Sequence, residues 1–141
     1  MTVYKDNSIQ LFYVTKSDDS YSEEQSLRKK ISGSQKSQRL VFKLPKGVKV
    51  KNIRLDLGET ANENDSIKLE NIRFSYRNLE LNGAGGAYKS WFVFNDNVVQ
   101  GKNNQMLYLK KSNNTFDPQL NGNRKLNALL VKLFPPNIYE Q

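Results

Sequence analysis

The chain has 141 residues, a net charge of +8, 37% apolar residues, and neither histidine nor cysteine. Disulfides, zinc sites built from the usual His and Cys ligands, and Ser-His or Cys-His nucleophiles are therefore excluded. No apolar run approaches the roughly 20 residues that cross a bilayer, and the opening MTVYKDNSIQ lacks the apolar core of a signal peptide. In chain order, SIQLFYV, RLVFKL, SWFVF, QMLYLK and NALLVKLF are short apolar or alternating runs separated by Gly, Pro, Asn, Asp and Ser, the pattern of β-strands. SEEQSLRKKI is either a short helix, with Ser22 and Gln25 as a capping box and Leu27 and Ile31 on one face, or an edge strand. NGAGGA (82–87) is a flexible loop whose glycines lack the flanks of a phosphate cradle. These runs predict an all-β chain, a β-sandwich or barrel, in one domain spanning residues 1–141.

Within it the stretch VKVKNIRLDL (48–57) returns 19 residues later as IKLENIRFSY (67–76), with Lys49, Asn52, Ile53 and Arg54 repeated as Lys68, Asn71, Ile72 and Arg73. In the first copy Val48 and Val50 share one parity, while Ile53, Leu55 and Leu57 take the other. A strand has period two, so the switch demands an extra residue at Lys51-Asn52, a β-bulge or sharp bend. The second copy switches at Glu70-Asn71. With the polar loop 58–66 between them, the copies read as a long hairpin or as neighbours across a sandwich, bending at the same edge.

The pieces LFYVTKSDDSYSEEQS, RLVFKLPKGVKVKNIRLDLGE and IKLENIRFSY, taken in order, resemble a module of bacterial membrane-anchored glycosyltransferases and cell-surface polysaccharide proteins. Tyr21-Ser22-Glu23-Glu24 stands for the module's turn, Leu44-Pro45 for its strand exit, and Arg54-Leu55-Asp56-Leu57-Gly58 for its signature, with Leu57 where proline is usual. The resemblance covers most of residues 8–76, with weaker support from Asp117-Pro118 and the final LNALLVKL, read as a strand. It implies a galactose-binding-like jelly roll, the architecture of many carbohydrate-binding modules. By implication the chain is a noncatalytic accessory domain that binds or positions glycan at the cell envelope. It would be extracytoplasmic as part of a larger membrane protein, or cytoplasmic if the chain is complete.

A sugar face needs flat aromatic surface flanked by amide, carboxylate or guanidinium groups. Tyr88, Trp91, Asn95 and Asp96 are candidates, with Arg54 and Arg73 as a cationic patch for an acidic glycan. The arginines could equally pair across strands with Asp56 or Glu70. In SWFVF both parities are apolar, the mark of a strand buried on both faces, which would place Trp91 in the core and leave Tyr88 and Asn95 to reach solvent. Asp56, Glu59, Asn62 and Asp65 cluster along one loop and either hold a structural calcium or line an ordinary solvated turn. Two other readings remain open. One is a scaffolding module whose edge strands meet protein partners, with no small ligand. The other is a basic barrel stacking single-stranded nucleic acid on Phe12, Tyr76 and Tyr108, against which the basic residues are scattered rather than striped.

Overall fold

The computed structural model describes residues 1–58, 61–102 and 104–134. Among the described residues eleven strands and one α-helix follow in order: β1 Thr2–Val3, β2 Asn7–Thr15, β3 Ser26–Ile31, β4 Val50–Asp56, β5 Ser66–Lys68, β6 Arg73–Tyr76, β7 Leu79–Asn82, β8 Phe92–Phe94, β9 Val98–Gln100, β10 Met106–Leu109, β11 Gln119–Gly122 and α1 Arg124–Leu133. They form a five-stranded sheet ordered β3-β2-β4-β11-β8, a four-stranded sheet ordered β1-β5-β10-β9, and the β6-β7 ribbon. Every strand pair is antiparallel. The chain is an all-β sandwich. Alternation builds its core: Ile9, Leu11 and Tyr13 of β2, Ile53 and Leu55 of β4 and Leu120 of β11 face inward to meet Val3, Ile67, Leu107 and Leu109 of the four-stranded sheet. Among the described residues no helix is long and apolar enough to cross a membrane.

The predicted bulge is present. Val14 lies opposite Asn52 and Thr15 opposite Val50, leaving Lys51 as the extra residue. Asn52 holds the kink from its side chain, accepting from the Ile53 N–H at 2.9 Å and donating to the Gly122 carbonyl at 3.0 Å. Gly122 permits this approach, because a Cβ there would fall against the Asn52 carboxamide and 2.8 Å from Leu126 Cδ2. The second copy behaves differently. Its phase switch falls between β5 and β6, where the chain leaves the four-stranded sheet for the ribbon. The two copies are therefore not a hairpin and do not bend at one edge; β4 and β5 belong to different sheets.

Three element assignments change. The run 127–134 is not a strand; residues 127–133 are most of α1 and Phe134 is its C-cap. Leu126, Leu130 and Leu133 are buried at helical spacing, and the Asn123 side chain caps the start by accepting from the Leu126 N–H at 3.0 Å. RLVFKL (39–44) alternates as predicted, with Leu40, Phe42 and Leu44 packed on the core and Arg39, Val41 and Lys43 exposed, but joins no sheet. SWFVF divides: Trp91 ends a 3-10 segment, Ala84–Trp91, and Val93 on β8 is 59% exposed, so that strand is not buried on both faces. The glycines of NGAGGA lie partly in that segment, with Gly85 and Gly86 at φ 68° and 83°, left-handed values that a side chain would strain. SEEQSLRKKI resolves into a 3-10 turn, Glu23–Gln25, with no side-chain cap from Ser22, followed by the edge strand β3.

Candidate functional site

The six predicted ligand residues fall in four places. Tyr88 does not reach solvent: it is fully buried, and its hydroxyl donates to the Leu69 carbonyl at 2.8 Å. Burial pushes that phenol far above its ordinary value. Trp91 is core, its ring 6.0 Å from Phe74. The Asn95 carboxamide is committed to the backbone. It donates to the Asp117 carbonyl at 2.6 Å and accepts from the Asn97 and Gln119 N–H groups at 3.2 Å each. Asp96 beside it is exposed. Arg73 pairs with Glu80 at 3.3 Å on the β6-β7 ribbon, in a different sheet from Arg54. Tyr88 and Trp91 therefore offer no sugar platform, and the two arginines make no common patch.

The calcium set does not gather either. Both oxygens of Asp56 bind Arg54, whereas the Asp65 carboxylate accepts from the Asn62 N–H at 2.8 Å and pairs with Lys5 at 3.1 Å. Glu59 lies outside the described residues. Among the described residues no group of three or more acidic side chains is placed to hold a metal. Phe12, Tyr76 and Tyr108 are likewise spread over three sheets.

Arg54 is the predicted residue that sits at the centre of a built surface. On β4 it alternates with Ile53 and Leu55, so those two enter the core while Arg54 and Asp56 face outward. Register then sets two rows across the outer face of the five-stranded sheet. One runs Ser26, Phe12, Arg54, Asn121, Val93; the next runs Arg28, Gln10, Asp56, Gln119. The Arg54 guanidinium grips Asp56 in a two-point fork, Nε to Oδ1 at 2.8 Å and an Nη to Oδ2 at 3.1 Å. It also lies 4.2 Å from the Phe12 ring centre and 5.4 Å from that of Tyr21, which meets Phe12 edge-on. Around this centre Gln10 donates to Glu23 and to Ser26 at 3.0 Å each, Arg28 pairs with Glu23 at 3.2 Å, and Gln119 donates to Asp117 at 2.7 Å.

The electrostatics follow from partial burial. Removal from water raises the Asp56 carboxyl above its ordinary value, and nearby Asp117 and Glu23 add to the rise, outweighing the opposite pull of Arg54. Burial pushes the Tyr21 phenol up to about 12, again against Arg54, and its hydroxyl has no hydrogen-bond partner among the described residues. The result is a sheet face that offers a fixed guanidinium, carboxamides and carboxylates beside packed aromatic rings. Tyr21 is read from sequence only as part of a turn, and Gln10, Gln119 and Asn121 are not singled out from it. Their signal was parity: Ser8, Gln10 and Phe12 oppose the inward Ile9, Leu11 and Tyr13, and Gln119 and Asn121 flank Leu120. No family model matches this chain, and no curated protein or solved structure gives a significant match to it.

Proposed function

We propose that this chain is a noncatalytic glycan-binding β-sandwich of jelly-roll type, an accessory domain at the bacterial cell envelope, and that its ligand lies across the outer face of the five-stranded sheet. One observation carries the reading: Arg54, forked to Asp56 and stacked on the buried ring of Phe12, stands in cross-strand register with the half-buried Asn121 and beside Gln119, while Gln10, buried and bonded to Glu23 and Ser26, braces them from below. Sugar hydroxyls are met by such planar donors and acceptors held at fixed spacing, and rigid strands hold them with little entropy to lose on binding. The noncatalytic part rests on the carboxylates. Asp56 is gripped by Arg54, and the other carboxylates of this face are likewise engaged, Glu23 by Gln10 and Arg28 and Asp117 by Gln119, so among the described residues the face presents no free pair of carboxyl groups of the kind that flanks a glycosidic bond in cleavage.

The test is a glycan array with the purified chain at low and high salt, followed by titration of hits against Gln119→Ala and Asn121→Ala variants. Hits that persist at high salt and weaken in both variants are expected. A full glycan set without saturable binding, or hits indifferent to both substitutions, refutes the reading. Direct hydrogen-bonding recognition is only weakly salt-dependent, whereas attraction by a +8 chain is screened.

A further inference from the structure

On the inner side of the sandwich a groove of about 950 Å³ runs between the five-stranded sheet and two extended segments, residues 39–48 and β6. Its floor is apolar, formed by Ile9, Leu11, Ile53 and Leu55. Its walls are segments with strand-like alternation and open backbone edges. Residues 39–44 are pinned ahead of their start, where the Gln38 N–H donates to the Met1 carbonyl at 2.6 Å and the Met1 ammonium to the Gln38 carbonyl at 2.9 Å. A turn closes them, with the Val48 N–H on the Pro45 carbonyl at 3.2 Å. Between those points the backbone of residues 39–44 makes no hydrogen bond to another described residue. Among the described residues β6 pairs with β7 alone, so none of them occupies its second edge.

Open strand edges over an apolar floor are what an added strand satisfies: main-chain hydrogen bonds on its edges, alternate side chains into the floor. The charge at the rim selects the kind of chain. Arg39, Lys43 and Lys46 stand exposed along it. Arg73 is already neutralised by Glu80, and Glu70 is a half-buried carboxylate near the Met1 ammonium. We propose that this groove binds an extended peptide with apolar residues at alternate positions and acidic residues between them, added as a strand between residues 39–44 and β6. The site is separate from the outer glycan face, so either can fail without the other.

The probe is a fluorescein-labelled peptide alternating valine or isoleucine with glutamate, titrated onto the full chain by fluorescence anisotropy. Two control peptides accompany it, one with the same composition but contiguous apolar residues and one methylated on alternate backbone nitrogens. The alternating peptide should saturate. The N-methylated peptide, stripped of ladder donors, should bind about tenfold more weakly or worse, the loss expected from one or more net hydrogen bonds. The exposed double substitution Lys43→Glu, Lys46→Glu should weaken the parent peptide, and hydrogen exchange should slow at the amides of residues 39–44 when it binds. Absence of saturable binding overturns the proposal. So does equal affinity of the methylated peptide, above all if decanoate competes with it, since the groove would then suit an anionic amphiphile rather than a strand.

Discussion

Replacing Arg54 by methionine keeps most of the side-chain volume while removing the fork to Asp56 and the charge over Phe12. The two partners are 22% and 16% exposed, so the pair lies between a surface bridge and a buried one. Breaking a fully buried pair costs about 3–5 kcal/mol and an exposed pair contributes about 0–1, which places this loss at about 2 kcal/mol. The stacked guanidinium at 4.2 Å adds about 1 kcal/mol. The total of about 3 kcal/mol corresponds to a drop of roughly 10 °C in Tm for a chain of this size. Its pH dependence is the sharper test. The Asp56 carboxyl is raised in the folded state, so its contribution is fully present below the unfolded value and lost as pH rises through the folded one. Removing Arg54 takes away the interaction that lowers it, so the folded value climbs further and the loss on raising pH deepens. Urea denaturation followed by Trp91 fluorescence should therefore show a small penalty for Arg54→Met in strong acid, growing to its full size by neutral pH. A penalty below about 0.5 kcal/mol, the level of a screened surface pair, or one independent of pH, refutes the claim that this pair organises the face.

Tyr88→Phe leaves the Leu69 carbonyl buried without its donor, and thermal unfolding should show a loss of about 1–3 kcal/mol; an unchanged Tm would mean that water reaches that carbonyl. Gly122→Ala drives a methyl into the Asn52 carboxamide that clamps the bulge, so destabilisation by about 1–3 kcal/mol is expected by urea titration, as for other forced contacts in packed sites; a neutral result would show that the bulge relaxes freely. Asp18 is held below the ordinary carboxylate value by hydrogen bonds from Thr15, first its backbone and then its hydroxyl, and from Gln25. Its contribution is present above the unfolded value and lost as pH falls through the folded one. The fall of Tm in acid should accordingly be shallower in Asp18→Asn than in the parent, and parallel curves would contradict that role.

Strands that alternate and find a neighbour were readable from the residues alone. β2 and β10 fall within SIQLFYV and QMLYLK give or take a residue or two, and the Lys51 bulge follows from the parity of Val50 and Ile53. What parity cannot express is whether a run has a ladder partner. RLVFKL has the alternation of a strand and buries one side as a strand does, yet hydrogen bonding is decided by what the rest of the chain places beside it. LNALLVKL reads as a strand for a different reason. Leu126, Leu129, Leu130 and Leu133 keep helical spacing, but Ala128 and Val131 fill the run between them, so periods of 2 and 3.6 compete over too few residues to separate. Of the candidate face the sequence singles out Arg54, Asp56 and Phe12, each for a different reason, and not the amides Gln10, Gln119 and Asn121 that share the face with them. The aromatic residues chosen around NGAGGA are consumed by the core, because Gly83 lets the chain pack closely: a Cβ there would meet Tyr88 Cβ at 2.6 Å and the Ile72 carbonyl at 2.7 Å.

The duplicated decapeptide shows how equal local sequence serves unequal ends. In each copy the asparagine at the phase switch ties the break to a later strand, Asn52 to the Gly122 carbonyl at 3.0 Å and Asn71 to the Asn82 side chain at 2.9 Å. The break is thus a property of the repeated residues, while its consequence depends on partners. β4 continues through the bulge because β2 lies along it on both sides of Lys51. The second copy has β1 and β10 only up to Lys68, so it parts there and resumes against β7. The arginines diverge through a difference inside the repeat as well. Arg54 finds Asp56 two residues on, on the same face of its strand, whereas the equivalent position after Arg73 is Ser75 and the guanidinium reaches across the ribbon to Glu80. A broad sheet with a charge pair fixed in its middle can present many groups at set spacing; a two-stranded ribbon cannot. That difference, which starts with Asp56 standing where the copy has Ser75 and is completed by the strands beside each copy, is why the proposed ligand face is centred on Arg54 and not on Arg73.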